Sequence, residues 1–115
     1  MRTSTLDPWQ ALADPTRRRV FGRIADGPCS VTEIARDLPV SRPAVSQHLR
    51  VLLDARLVDV HPQGRMRVYE IRSDGLAQLR HELDSYWRAA LSRFKDLAER
   101  SYQPPAAATE RTPTR

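Results

Sequence analysis

Arg42, Ser46, Gln47 and Arg50 follow one another at intervals that a helix would carry round to one side. The apolar residues interleaved with them, Val45, Leu49, Leu52 and Leu53, recur at helical spacing and claim the opposite side for a core. Guanidinium, hydroxyl and amide groups left facing outward at the start of a short helix suit one partner above others. They are the equipment of a helix that enters the major groove of DNA. The preceding residues supply the other half of that arrangement. Ser30 and Glu33 form a capping-box pattern, and Ile34, Ala35 and Leu38 make one apolar face. Pro39 and Val40 break the helix, Ser41 can cap the next one, and Pro43 is tolerated in its first turn. Residues 30–57 therefore predict two short helices joined by a tight turn.

The elements around this pair follow from equally local signals. Asp7-Pro8 and Asp14-Pro15 each place an acidic cap before a proline at the first helical position, so two helices are expected to begin there. The first is short and carries Trp9 and Leu12; the second buries Val20, Phe21 and Ile24 and stops at Asp26-Gly27-Pro28. Residues 57–61 and 66–71 are β-rich runs separated by Pro62, Gln63, Gly64 and Arg65, where Gly64 can supply the positive φ of a tight hairpin. Ser73 is the expected cap of a last helix, with Asp74 at its positive end. The predicted class is mainly α with a β-hairpin wing: a winged helix-turn-helix, dimerising through its N- and C-terminal helices.

Charge is distributed in keeping with an anionic partner. The chain of 115 residues has a formal charge of +5, and residues 15–72 hold 11 arginines against 6 acids. Residues 73–100 carry 5 bases and 5 acids, and the two ends balance, so the net positive charge sits with the helix-turn-helix. Neutralising a phosphate backbone with such a patch releases counterions and makes binding salt-dependent. One cysteine, Cys29, excludes an intramolecular disulfide and multi-cysteine metal clusters. No apolar run has the length of a signal peptide or membrane span, so a cytoplasmic protein without a membrane partner is expected. Residues 1–6 are expected to be flexible, residues 7–102 to form the domain, and the Pro-, Ala- and Thr-rich residues 103–115 to be disordered.

The last helix implies a second copy of the chain. Leu76, Leu79, Leu83, Trp87, Ala90, Phe94 and Leu97 recur at spacings of three and four. A helix of some 27 residues, roughly 40 Å long, exceeds what a small domain body can cover. Its second half is expected to bury Leu83, Trp87 and Phe94 against another subunit, with Trp9 and Leu12 completing the interface. A two-fold dimer presents two reading helices about 34 Å apart, matching successive major-groove faces of a palindromic site.

The segments ALADPTRRRVFGRI, VSRPAVSQHLRVLLDARLV and VYEIR stand in the order and spacing of one known group. Across residues 11–99 the chain resembles the ArsR/SmtB family of bacterial winged-helix repressors. The resemblance implies a homodimer on an operator in double-stranded DNA, often at its own promoter, that blocks polymerase. It matches Arg42, Ser46, Gln47 and Arg50 to DNA-facing positions, where Gln47 could pair with adenine and an arginine with guanine. Ser41 could serve as cap and phosphate contact, and Arg65 and Arg67 in the wing as phosphate contacts. His48 fits either of two roles, bonding a neighbouring helix at the core edge or touching a phosphate or base. Of Arg17, Arg18 and Arg19, one or two could reach phosphate.

Two departures from the family pattern stand out. Arg56 occupies a position where the family usually has glycine, at a strain cost on the order of 1 kcal/mol if positive φ is needed. The helix before the turn, VTEIARDL, lacks the paired cysteines by which many relatives sense metal, and His81, Glu82 and Asp84 have no second histidine further along to complete a site. No metal and no cofactor are therefore expected. A ligand- or redox-responsive sensor using Cys29 is the alternative, ahead of a metal sensor. No arrangement of nucleophile and base stands out, so the expectation is not an enzyme.

Overall fold

The computed structural model describes residues 7–104. It contains α1 (Pro8–Ala11), α2 (Pro15–Ala25), α3 (Val31–Asp37), α4 (Arg42–Asp54), β1 (Val58–Gln63), β2 (Met66–Ile71) and α5 (Ser73–Ser101). The expected ends, 1–6 and most of 103–115, lie outside the described residues. The rest falls into two compact units, one up to His81 and the other from Glu82.

In the first unit, every short helix is started by a side chain the sequence makes available. Asp7 accepts from the Trp9 amide and Asp14 from the Thr16 amide, each followed by proline. Ser30 and Glu33 complete a reciprocal capping box, and Ser41 accepts from the Ala44 amide. Each such cap contributes about 1 kcal/mol by satisfying an amide that the helix leaves unpaired. Helices of 4 to 13 residues are too short to hold alone. Their stability comes from a shared core of Val20, Ile24, Ile34, Val45, Leu49, Leu52, Leu57, Val58 and Leu79, all nearly or fully buried. Each large side chain buried there contributes about 1.5–3 kcal/mol.

α4 ends where Arg56 takes a φ of 62°. The Arg56 amide donates to the Leu53 carbonyl and the Leu57 amide to the Leu52 carbonyl, both at 3.0 Å. This is the paired bonding that closes a helix through a left-handed residue, a place normally held by glycine. Leu57 and Leu52 are both fully buried in the same core, in keeping with the apolar pairing that accompanies the motif. A further constraint falls on the Arg56 carbonyl: a Cβ added at Gly75, in the first turn of α5, would overlap its oxygen. Gly75 is required there by close approach, not by its own φ.

The hairpin pairs Val58 with Ile71 through to Gln63 with Met66. Gly64, at φ 66°, is the first of two turn residues, the position where a type II′ turn needs glycine. The first strand begins at Val58, not Leu57, and runs two residues beyond the expected His61, through Pro62 and Gln63. β1 is an edge strand, so its proline can be accommodated. Cys29 adds a bridge on the other side of β2, its amide donating to the Tyr69 carbonyl at 3.0 Å and its carbonyl accepting from the Tyr69 amide at 2.8 Å. Ser73 is the first residue of α5 and not its cap, because the Leu76 amide already donates to the Arg72 carbonyl at 3.3 Å.

The second unit is helical through Ser101. It carries the apolar stripe in the open: Leu83, Tyr86, Trp87, Leu91, Phe94 and Leu97 are between 46% and 70% exposed.

Candidate nucleic-acid interface

The start of α4 is built to show polar groups. Val45, Leu49 and Leu52 are buried beneath it, which turns Arg42, Ser46, Gln47 and Arg50 outward, all exposed. Ser41 is exposed as well while its hydroxyl caps the helix at 3.3 Å from the Ala44 amide. His48 behaves differently. It is half-buried, and its Nδ1 lies 3.7 Å from an Asp14 carboxylate oxygen at the start of α2. Of the two roles open to it, this geometry favours tying α4 to the start of α2.

The wing brings its arginines to the same face. Arg42, Arg65 and Arg67 line one cleft between the start of α4 and the hairpin, together with Thr32 and Tyr69. Ser46, Arg50 and Arg67 line a second, with Asp54 and Tyr69. Arg67 thus lines both clefts. Tyr69, with 8% of its surface exposed, underlies both clefts. Tyr69, Thr32 and Asp54 line these clefts without being expected there from the sequence. Alternation along β2 could have marked Tyr69 as sharing a face with Arg67, but nothing local signals that this face turns towards α4.

Other arginines of the basic segment are occupied within the fold. Arg17 donates to the Ala11 carbonyl at 2.7 Å, and Arg18 to the Leu12 carbonyl at 2.8 Å. They satisfy acceptors at the end of α1, which has too few residues to do so itself. Their engagement weighs against both as phosphate contacts, while Arg19 is exposed. Arg23 pairs with Asp37 at 2.8 Å, and Arg72 bridges Asp74 at 2.9 Å and Asp59 at 3.5 Å. Their partners partly cancel the charge of these two, whereas Arg42, Arg50, Arg65 and Arg67 stand exposed on α4 and the wing.

Cys29 is buried, and that burial pushes its thiol above the ordinary value, although Arg23 pulls in the other direction. A nucleophilic thiolate needs the reverse, a depressed pKa with solvent access. The position serves the sheet through its backbone. Among the described residues, no three or more His, Cys, Asp and Glu side chains are gathered as a metal ion would require.

Comparison with known proteins agrees with this geometry. A helix-turn-helix domain model matches residues 12–61. The HTH-type transcriptional regulator Rv2034 of Mycobacterium tuberculosis is 57% identical over 91 residues, 79% of this chain and 85% of that protein. Among solved structures, a possible transcriptional regulator for arsenical resistance superposes with a TM-score of 0.68 at 41% identity, covering 86% of this chain and 100% of that one. An ArsR-like transcriptional regulator from Rhodococcus sp. RHA1 follows with a TM-score of 0.66 at 25% identity, covering 84% and 91%. The chain belongs to the ArsR/SmtB family of winged helix-turn-helix transcriptional regulators.

Proposed function

We propose that this regulator works as a homodimeric repressor that occupies a short palindromic operator in double-stranded DNA, its own promoter among the candidates, and so excludes polymerase. The observation that carries this reading is the single exposed face formed by Arg42, Ser46, Gln47 and Arg50 of α4, with Arg65 and Arg67 of the wing beside it. Gln47 and an arginine read base edges; Arg65, Arg67 and Ser41 hold phosphates. Dimerisation is supported by the exposed stripe through Leu83, Trp87 and Phe94. Trp9 and Leu12 belong to the proposed interface, since 38% of Trp9 is exposed on a four-residue helix. The cytoplasm, where operators are found, is the proposed site of action; among the described residues no helix is long and apolar enough to cross a membrane.

The direct test is selection of bound duplexes from a random pool at near-physiological salt. An inverted repeat with half-sites about one helical turn apart is the expected product. Salt-sensitive binding that enriches no sequence contradicts a sequence reader. On the selected duplex, Gln47→Ala should cost about 1–3 kcal/mol and relax specificity at one position of each half-site. An equal loss on all sequences would remove Gln47 from the base-reading set.

A further inference from the structure

The cleft between the start of α4 and the wing has a property that its neighbour lacks. Arg42, Arg65 and Arg67 converge on it from two elements, and none of the residues lining it is a carboxylate. The second cleft shares Arg67 and Tyr69 but includes Asp54, which repels an anion. Three hydroxyl residues line the first cleft; Ser30 is buried with its oxygen engaged as the α3 cap, while Thr32 and Tyr69 are held there by well-fixed backbone. Thr32 sits in the first turn of α3, set by the reciprocal Ser30–Glu33 cap at 2.9 and 3.3 Å. Tyr69 is clamped in β2 by its two backbone bonds to Cys29 and by pairing with Val60. Three cations with neutral donors and no acid form a site for a phosphoryl oxyanion, since charged and neutral donors together can satisfy its several acceptor positions.

We infer that this cleft seats one phosphate of the DNA backbone, with Thr32 and Tyr69 donating to it as neutral hydroxyls beside Arg42, Arg65 and Arg67. The inference rests on the DNA-binding reading above and adds two contact residues to it. It also assigns the wing a fixed seat: the same phosphate touches α3, α4 and the hairpin, so seating it registers the reading helix against the backbone. The two clefts then divide the work, one holding the strand and the other, with Ser46, Arg50 and Asp54, facing base edges.

Neutral and charged donors leave different signatures in salt. Removing an arginine that neutralises a phosphate lowers the slope of log affinity against log salt by about 1 per subunit. Removing a hydroxyl weakens binding without changing the slope. Thr32→Val and Tyr69→Phe preserve shape, and each should weaken binding to the selected duplex about five- to tenfold with an unchanged slope. Arg42→Ala and Arg67→Ala should lower both affinity and slope. Thr32 is exposed, so Thr32→Val remains informative if Tyr69→Phe disturbs the fold. Wild-type affinity in both hydroxyl variants, with the arginine slopes reduced, overturns the hydroxyl assignment and leaves DNA binding intact. Unchanged slopes in Arg42→Ala and Arg67→Ala mean that the cleft is empty in the complex, which overturns the site. Failure of the unaltered protein to bind DNA would instead remove the reading beneath it.

Discussion

Up to His81, the large apolar side chains of α2, α3 and α4 are packed out of solvent; from Glu82 on, Leu83, Trp87, Phe94 and their neighbours lie open. Both stretches have the spacing of an amphipathic helix, and both bury or display residues of similar type. They differ in whether the chain folds back to cover the stripe. Around α4 it does, with the flanking helices and the hairpin closing a core over residues too far apart in sequence to meet otherwise. Beyond Glu82 the exposed apolar surface must find cover elsewhere, since an open stripe with three aromatics is costly in water. An apolar stripe thus marks a face to be buried without naming its partner.

The comparison breaks most readily at Trp87. If a second subunit covers the stripe, Trp87→Ala should weaken association by about 2–4 kcal/mol, as for a buried aromatic anchor. Sedimentation should then show monomer at concentrations where the unaltered protein is dimeric, with helical content retained and operator binding lost in consequence. An undiminished dimer would move the interface away from this helix.

The packed unit can be broken where α5 begins. Gly75→Ala should lower stability to denaturant by about 1–3 kcal/mol, because its Cβ meets the backbone oxygen of Arg56. Helix propensity alone favours alanine by up to about 1 kcal/mol, so a gain in stability would show that the contact can relax. A smaller effect of opposite sign is expected on the other side of that contact. Arg56→Gly relieves a side chain at φ 62° and should stabilise the protein by about 0.5–1 kcal/mol. A loss would show that the Arg56 side chain does more for the fold than its backbone costs.

The mildest expected effect concerns Cys29. Its folded pKa is raised above the unfolded value, so the neutral thiol's contribution to stability is complete below the unfolded pKa, about 8.5, and is lost as pH rises through the folded value. Thiol labelling of the native protein at neutral pH should therefore be slow and become fast only in denaturant. Rapid native labelling would restore the redox-sensing alternative.

What the sequence made legible is what neighbouring residues decide among themselves. Asp7, Asp14, Ser30 and Ser41 were readable as caps because each bonds an amide two or three residues away. The outward set on α4 was readable because its buried complement has the same helical period. Contacts across the fold left no such trace. Arg17 and Arg18 looked like solvent-facing charge until the end of α1 supplied their acceptors. Gly75 is tied to Arg56 across 18 intervening residues. Tyr69 and Thr32 come to line one cleft with Arg42 only once the hairpin has folded beside α4. Pro62 masks the last two residues of β1, because proline is a reliable breaker inside a sheet and an unreliable one at its edge.

The central claim is that two reading helices are held at fixed separation on one dimer, and helical phasing tests it most directly. Affinity for the selected inverted repeat should be compared with that for the same half-sites separated by about half a turn more, roughly 5 base pairs. The expected result is a fall of at least about tenfold, to the level of a single half-site, as the second major groove rotates out of reach. Equal affinity for the two spacings would contradict a rigid dimeric reader and leave a domain that binds each half-site alone.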